Sequence, residues 1–476
     1  MNLETFLIMR HEIVLAIIIL VLLLVDVFVK PENKKIVNTI AVSLFAVHTI
    51  IGLLPLNSGE LFGGMFTTTP LTVYFKSILN VGVLLISMIS VSWVNKKMLP
   101  LNKVTEYYVL MFSSLLGMYY MISSGNFLMM YLSLELATLP VAALASYDMH
   151  SRKSSEAGIK MILSAAFSSG ILLFGISMLY AVSGSLYFTE IAAANVELSN
   201  LSIMALVMIF AGFGFKISLV PFHFWTADVY EGAPTPVASF LSTISKASAV
   251  FIFMTVLFIT LRDLQAVWTY ALYGVAIVTM VIGNFFALRQ TNVQRMMAFS
   301  SVAQAGFIAM GMIAGDNFSV SAVVYFLAIY IVSNIAVFGA IQAVRIQSGK
   351  TEIDDYNGLY RTNPYISLVL MMGLFSLAGI PPIAGFFGKF FLYTSAAGQG
   401  YYWLVFIAVA NVTVSLYYYL ILIRASFLRK SETSIPFFKS DMFMKVGLSL
   451  TVAALLILGV YSPFYEFIDS ISQIIK

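Results

Sequence analysis

Cysteine is absent from all 476 residues. That excludes disulfides, thiolate zinc sites and cysteine-ligated iron–sulfur clusters together, and it leaves the redox compartment unreadable. Charge is scarce as well, at 10% Asp, Glu, Lys and Arg, against about a quarter in a soluble domain. Long polar stretches are missing. The longest polar linkers lie around 346–364 and 429–442, so there is no room for a sizeable soluble domain. No basic stripe with interleaved aromatics occurs, which removes nucleic acid as a partner. There is no HExxH, and histidine appears only four times.

Hydrophobicity stands in place of all this. The chain is 60% hydrophobic, with a mean hydropathy of +0.94. Such a composition cannot be hidden in one water-surrounded core, so the bilayer must be its solvent. A span needs about 20 mostly apolar residues. About fourteen candidates follow along the chain, at about 12–29, 36–55, 71–94, 105–122, 125–146, 157–182, 200–222, 237–261, 266–287, 296–314, 318–344, 366–395, 402–426 and 443–465. The first lacks a basic n-region and a small-residue cleavage site, so it reads as a retained helix rather than a signal peptide. The expected fold class is all-α and polytopic.

Positive charge tests the count. With both termini outside, the inner loops gather most of the Lys and Arg, from Lys30, Lys34 and Lys35 through Lys96, Lys97, Lys103, Arg289, Arg295 and Arg345 to Arg429, Lys430 and Lys439. The outside keeps Arg10, Arg262 and Lys476, with Lys76 near an outer helix end. That bias fits the positive-inside rule.

Spans 4–8 and 9–13 form two blocks of five, and an odd block makes the second inverted relative to the first. Span 7 carries Lys216 and then Pro221, while its counterpart, span 12, carries Pro381-Pro382 and then Lys389. Proline removes a backbone donor and clashes with the preceding turn. Freed backbone groups survive in hydrocarbon only where protein or water satisfies them. Paired broken helices in matching halves point to a polar pathway at mid-membrane. The expected division is 1–104 for the first three helices, 105–262 and 263–428 for the two repeats, and 429–476 for the last helix.

Four charges sit inside apolar runs. Glu135 lies about nine residues into span 5, roughly 14 Å deep at about 1.5 Å per residue, and Lys246 is at similar depth in span 8. Lys216 and Lys389 lie in the broken helices. A charge at the bilayer centre costs about 2.5–3.5 kcal/mol on the lenient insertion scale. These four must therefore face a polar interior, where pairing partly offsets the cost. One glutamate cannot neutralise three lysines, so a set of static salt bridges does not account for them. An amine held away from water releases its proton more readily and can pass it on.

Lys160, a few residues inside span 6, either snorkels to the inner surface or admits protons. His223, at the inner end of span 7, is either a packing residue or a feed toward Lys216. His48 lies outside both repeats and reads as structural. Asp26 reads as an interfacial charge. Asp228 and Glu231 follow the broken helix on the inner side and either attract protons or form a plain loop. Gly212-Phe-Gly214-Phe-Lys216 lacks the third glycine of a dinucleotide fingerprint, and Val344 stands where Gly349-Lys350-Thr351 would need the first glycine of a phosphate loop.

The run from Gly212-Phe-Gly-Phe-Lys216 through Pro221-Phe-His-Phe-Trp-Thr-Ala-Asp228-Val-Tyr-Glu-Gly-Ala-Pro234 to Ile244-Ser-Lys246 resembles the signature of the proton-conducting membrane subunits of respiratory complex I and their Mrp antiporter relatives. Tyr131-Leu-Ser-Leu-Glu135 and Leu377-Ala-Gly-Ile-Pro-Pro-Ile-Ala-Gly-Phe-Phe-Gly-Lys389 extend the resemblance. It covers essentially the whole chain and is closest to the N-type subunit of the NADH-quinone oxidoreductases. Ala227 departs from it, standing where the family usually has proline, without removing a titrating group.

The resemblance implies that Glu135 and Lys216 form a coupling pair, that Lys246 is the central relay lysine, and that Lys389 is the second-half lysine on the outward side. It implies a translocase subunit that works beside other membrane subunits of a hetero-oligomer in a bacterial inner membrane. NADH, FMN, iron–sulfur clusters and the main quinone site would belong to those partners, with no cofactor bound here. A Mrp-type cation/proton antiporter subunit is the alternative, and a purely anchoring subunit the third reading.

Overall fold

Capping residues punctuate the apolar runs and set where each helix starts. A computed structural model describes residues 7–55, 58–194, 196–430 and 435–472. The expectations that reach 431–434 and 473–476, including Lys476, lie outside the described residues. The helices are α1 Arg10–Phe28, α2 Lys35–Gly52, α3 Pro70–Lys97, α4 Val104–Ile122, α5 Phe127–Ala145, α6 Arg152–Ser183 and α7 Asn200–Ile217. They continue as α8 Thr235–Thr260, α9 Gln265–Leu288, α10 Val293–Gly311 and α11 Asn317–Ser348. The last are α12, interrupted as Pro364–Ala378 and Ala384–Gly398, α13 Tyr402–Phe427, α14 Met442–Val460 and α15 Pro463–Ile471.

Thr69 caps α3 in a reciprocal box with Thr72, and Pro70 occupies the first turn, where no N–H is needed. Ser199 and Ser202 do the same for α7, and Asp316 and Ser319 for α11. Left-handed Gly184 and Gly349 close α6 and α11.

Eleven described helices are long and apolar enough to cross a membrane: α1–α3, α5–α9, α11, α13 and α14. Three expected spans fall short for identifiable reasons. α12 is cut in two. α10 carries Gln294, Arg295, Ser300, Ser301 and Gln304, and α4 is rich in tyrosine and serine. Almost all of α10 is buried against other helices, so protein rather than lipid meets its polar groups. α11 packs among α3, α8, α10, α12 and α14 and is buried throughout its apolar length. The outer surface carries Leu163, Phe167 and Phe174 of α6 and Trp403 and Phe406 of α13. Exposed apolar area on that scale suits lipid or a partner subunit, not water.

Some local expectations need correction. α8 is not regular: π-helical turns occupy Leu241–Ser245 and Val256–Thr260. α11 runs one turn past its expected end, so Arg345 is a helical residue that donates to Gln294 and, at 3.3 Å, to Thr235. The stretch expected as one last span divides into α14 and the amphipathic α15. A two-stranded antiparallel hairpin, β1 Gly59–Leu61 and β2 Phe66–Thr68, joins α2 to α3. Lys76, expected as a charge near a helix end, is buried in α3.

Candidate functional site

Each of the four intramembrane charges occupies a place where the regular helix is disturbed. Pro140 lies inside α5 and removes the donor for the carbonyl one turn back. One turn before it stands Glu135, half-buried, with Oε1 buried and without a hydrogen-bond partner among the described residues. Three residues on, and therefore on a neighbouring face, Thr138 accepts a hydrogen bond from the Lys216 ammonium.

Lys216 sits in the last turn of α7. Carbonyls at a helix C-terminus carry partial negative charge, so an ammonium is favoured there. The helix stops at Ser218, whose φ is +68°. The freed backbone groups are then satisfied locally: Leu219 N–H donates to the Gly214 carbonyl at 2.8 Å, the Trp225 indole to the Phe215 carbonyl at 3.0 Å, and Val220 N–H to the Thr279 hydroxyl at 3.1 Å.

Lys246 follows directly on the first π-helical turn of α8 and is buried. It donates to the Ser301 carbonyl at 2.9 Å and to the Ser301 hydroxyl, and the Tyr330 hydroxyl donates to that same Ser301 oxygen at 3.0 Å. π-turns widen the backbone locally and recur at functional sites.

Lys389 lies in the second half of α12 and reaches back across the break. Its ammonium donates to the carbonyls of Leu377, at 2.7 Å, and Ala378, at 3.3 Å, the last residues of the first half. It also lies 5.0 Å from the Phe307 ring centre, a cation–π contact.

The expectation that these charges pair with one another fails in its direct form. Among the described residues no ion pair joins Glu135 to Lys216, Lys246 or Lys389. Helix-end carbonyls and hydroxyls hold the ammonium groups instead. Glu135 is related to Lys216 through Thr138, which lies three residues on in α5 and accepts from the Lys216 ammonium.

The flanking residues divide. Lys160 pairs with Glu156 at 2.5 Å and Asp228 at 2.6 Å, with its side chain 42% exposed. That is the snorkelling arrangement, on the rim rather than in the interior. Asp228 and Glu231, on the short helix Phe224–Gly232, both accept from Arg295, at 2.7 and 2.9 Å. Partial burial opposes ionisation of Asp228, but hydrogen bonds from Lys160 and Arg295 outweigh it and hold the carboxyl below the usual range. Glu231 is held low in the same way by Lys153 and Arg295. His223, at the start of that short helix, is buried. His223, Thr226 and Tyr230 recur at three- and four-residue steps and share one buried face. The Tyr230 hydroxyl is buried without a hydrogen-bond partner among the described residues, while its carbonyl accepts from Gln294 of α10, the helix that also carries Ser301, at 3.1 Å.

Sequence reasoning missed the groups between Lys246 and Lys389. Ser300, beside Ser301, hydrogen-bonds to the Tyr419 hydroxyl. The Gln304 amide donates to that hydroxyl at 3.4 Å and to the Leu377 carbonyl at 3.3 Å. Leu377 is the residue whose carbonyl holds Lys389. One hydrogen-bonded stretch thus ends at Ser301, bonded to Lys246, and a second runs from the adjacent Ser300 through Tyr419 and Gln304 to the Leu377 carbonyl that holds Lys389. The available signal was serine and glutamine at positions 300, 301 and 304 of one apolar helix, which repeat on helical spacing.

Residues 124–415 match the NADH:quinone oxidoreductase/Mrp antiporter transmembrane family. NADH-quinone oxidoreductase subunit N of Phocaeicola vulgatus is 43% identical over 98% of this chain and 99% of the relative. Among solved structures, a chain of respiratory complex I from Thermus thermophilus superposes with a TM-score of 0.80 at 29% identity, covering 95% of this chain and 97% of that one. A chain of the Mrp complex from Dietzia sp. DQ12-45-1b shares the fold, with a TM-score of 0.87 at 17% identity over 99% and 97% of the two chains.

Proposed function

The chain belongs to the NADH:quinone oxidoreductase/Mrp antiporter family of transmembrane subunits, and from that premise we propose that it is the N-type proton-translocating subunit of a respiratory NADH:quinone oxidoreductase. The observation that carries the reading is the set Lys216, Lys246 and Lys389: three intramembrane amines with no carboxylate among the described residues within ion-pair distance. Between two of them lie buried hydroxyl, amide and carbonyl groups, in two hydrogen-bonded stretches that end at the neighbouring residues Ser301 and Ser300.

In this reading, electron transfer in partner subunits alters the influence of Glu135 on Lys216. A proton leaves one ammonium as the next amine accepts it, so charge is conserved at each step. The Ser301, Ser300 and Tyr419 hydroxyls, with internal water, carry it from Lys246 toward Lys389. Gln304 positions Tyr419 and the Leu377 carbonyl. His223, Thr226 and Tyr230 form the feed from the inner side. Asp228 and Glu231 attract protons at the rim, beside Lys160.

The same proposal takes α4, α10 and the interrupted α12 as membrane crossings, which makes about fourteen in all. It keeps residues 105–262 and 263–428 as inverted repeats around the broken helices, with 1–104 and 429–476 flanking them. Both termini lie on the periplasmic side of a bacterial inner membrane. Flavin, iron–sulfur clusters and quinone sit in partner subunits, and this chain binds none of them.

Lys216→Ala and Lys389→Ala test the reading in the assembled complex. Proton pumping by reconstituted vesicles should fall in each while subunit composition stays intact. Undiminished pumping in both would sink it. Cation/proton exchange of the Mrp kind predicts a different result, a pumping rate that depends on the sodium gradient rather than on NADH.

A further inference from the structure

A second group of buried titratable side chains lies outside both repeats, where α1 and α3 begin and α2 and α4 end. Glu12 of α1 and Lys76 of α3 are an ion pair at 2.5 Å with almost no solvent exposure. Lys76 also donates to the Ser123 hydroxyl at 2.6 Å. His48 of α2 and the Tyr119 hydroxyl of α4 are 3.2 Å apart. The His11 ring stands edge-on to both His48 and Tyr119, with centroids 6.1 and 5.9 Å away. Arg10 is turned aside to cap the end of α2 through the Leu54 carbonyl. At this end of the surrounding elements stand also Tyr120 of α4, the outward Glu60 of β1, and Tyr74 of α3, whose ring packs on Phe464 and Phe467; the remaining ionisable groups of α1–α4 lie toward the opposite ends of these helices.

A settled structural ion pair would leave its neighbours satisfied, because buried polar atoms without partners are costly. Here Glu12 Oε2, His11 Nε2, His48 Nδ1 and both amide atoms of Asn80 are buried with no partner among the described residues. Two of these face one small space: a side-chain carbon on Gly52 would lie 3.0 Å from Asn80 Nδ2 and 3.1 Å from His11 Nε2. Asn80 needs both a donor and an acceptor there, which a water molecule supplies and an apolar filling does not. The hairpin closes the space from outside. Phe66 of β2 puts its ring 5.1 Å from the Lys76 ammonium, and Thr67 N–H bonds the Ser123 carbonyl at 2.8 Å.

We propose that α1–α4 hold a second proton-binding site, hydrated by internal water, in which the Glu12–Lys76 pair and the imidazoles of His11 and His48 share a proton load. Transfer from the Lys76 ammonium to the Glu12 carboxylate leaves a neutral amine and a neutral acid, and water passes the exchangeable proton to a histidine nitrogen. The site stands apart from the Lys246 relay. Phe75, beside Lys76, stacks on Phe251 of α8 with ring centroids 4.5 Å apart and separates the two by apolar surface.

The test is pH-difference infrared spectroscopy of the purified complex in water and deuterium oxide. The wild type should show a protonated-carboxyl band, sensitive to deuterium, that disappears in Glu12→Gln. Gly52→Ala leaves the ion pair intact and fills the shared space, so it should shift the same band. The double variant Glu12→Met/Lys76→Met removes both charges, retains assembly and should lack the band. Spectra unchanged in Glu12→Gln and in Gly52→Ala would overturn the proposal, whether or not the double variant assembles. Lys246→Ala, measured in parallel, should lower pumping and leave this band in place, so failure of the relay and failure of this site are told apart.

Discussion

At Lys389 the ammonium meets two peptide carbonyls and no carboxylate, and Gln304 shares the Leu377 carbonyl with it. Gln304→Leu should therefore free that carbonyl and release Tyr419. Losing a hydrogen bond of about 1.5 kcal/mol corresponds to about a tenfold slower step. The expected outcome is a fall of that order in proton pumping with NADH oxidation and assembly retained, read by fluorescence quenching in vesicles. The four charged members of the site were legible in the sequence because a charge inside an apolar run has no bland explanation. Ser300, Gln304 and Tyr419 were not, since neutral polar residues carry a small transfer penalty and leave little mark on hydropathy. Glu12 and Lys76 escaped for another reason. Each lies near the end of its run, where charges normally face water, and only the fold shows that the ends of α1–α4 meet under a hairpin.

Among the elements, the interrupted α12 depends on how closely its halves approach. A side-chain carbon on Gly385 would lie 1.7 Å from the Ser376 carbonyl oxygen. Both are backbone-anchored, so neither can move aside. Gly385→Ala should destabilise by at least the about 1–3 kcal/mol typical of overpacking, seen as a lowered unfolding temperature and poor recovery of the complex. The break was readable from Pro381-Pro382 and from Pro221, because proline cannot continue a helix ladder. The π-turns of α8 were not, since nothing in Leu241–Ser245 differs in type from an ordinary helical run. The short helix Phe224–Gly232 gives a pH prediction. Asp228 and Glu231 are held below their ordinary range, so the stability they contribute is present above the unfolded carboxylate value of about 4 and is lost as pH falls through the lower folded value. Thermal unfolding across an acid series should show this decline, and Asp228→Asn should flatten it.

Over the whole molecule, the two-sided distribution of Lys and Arg is the ground for the proposed orientation, and the absence of cysteine makes it simple to test. His150→Cys and Glu197→Cys place single thiols at exposed positions on the two proposed sides. An impermeant maleimide added to intact cells should label the second, and should label the first only after permeabilisation. The reverse pattern would invert the proposed topology. Apolar length and charge bias made the all-α membrane fold readable without coordinates. The gathering of α3, α8, α10, α12 and α14 around α11 was not, because α11 itself is apolar on every side and periodicity gives it no preferred face.

The carbonyls that hold Lys389 belong to the main chain. An acidic side chain in their place would itself pick up hydrogen ions in acid and loosen its grip. A peptide oxygen at the end of a helix does not titrate in any range a cell meets. The attraction on the amine is then constant whatever the acidity on either side of the bilayer, and only the occupancy of the amine changes. Side-chain replacement at Leu377 or Ala378 cannot delete this anchor; only reshaping the bend itself can.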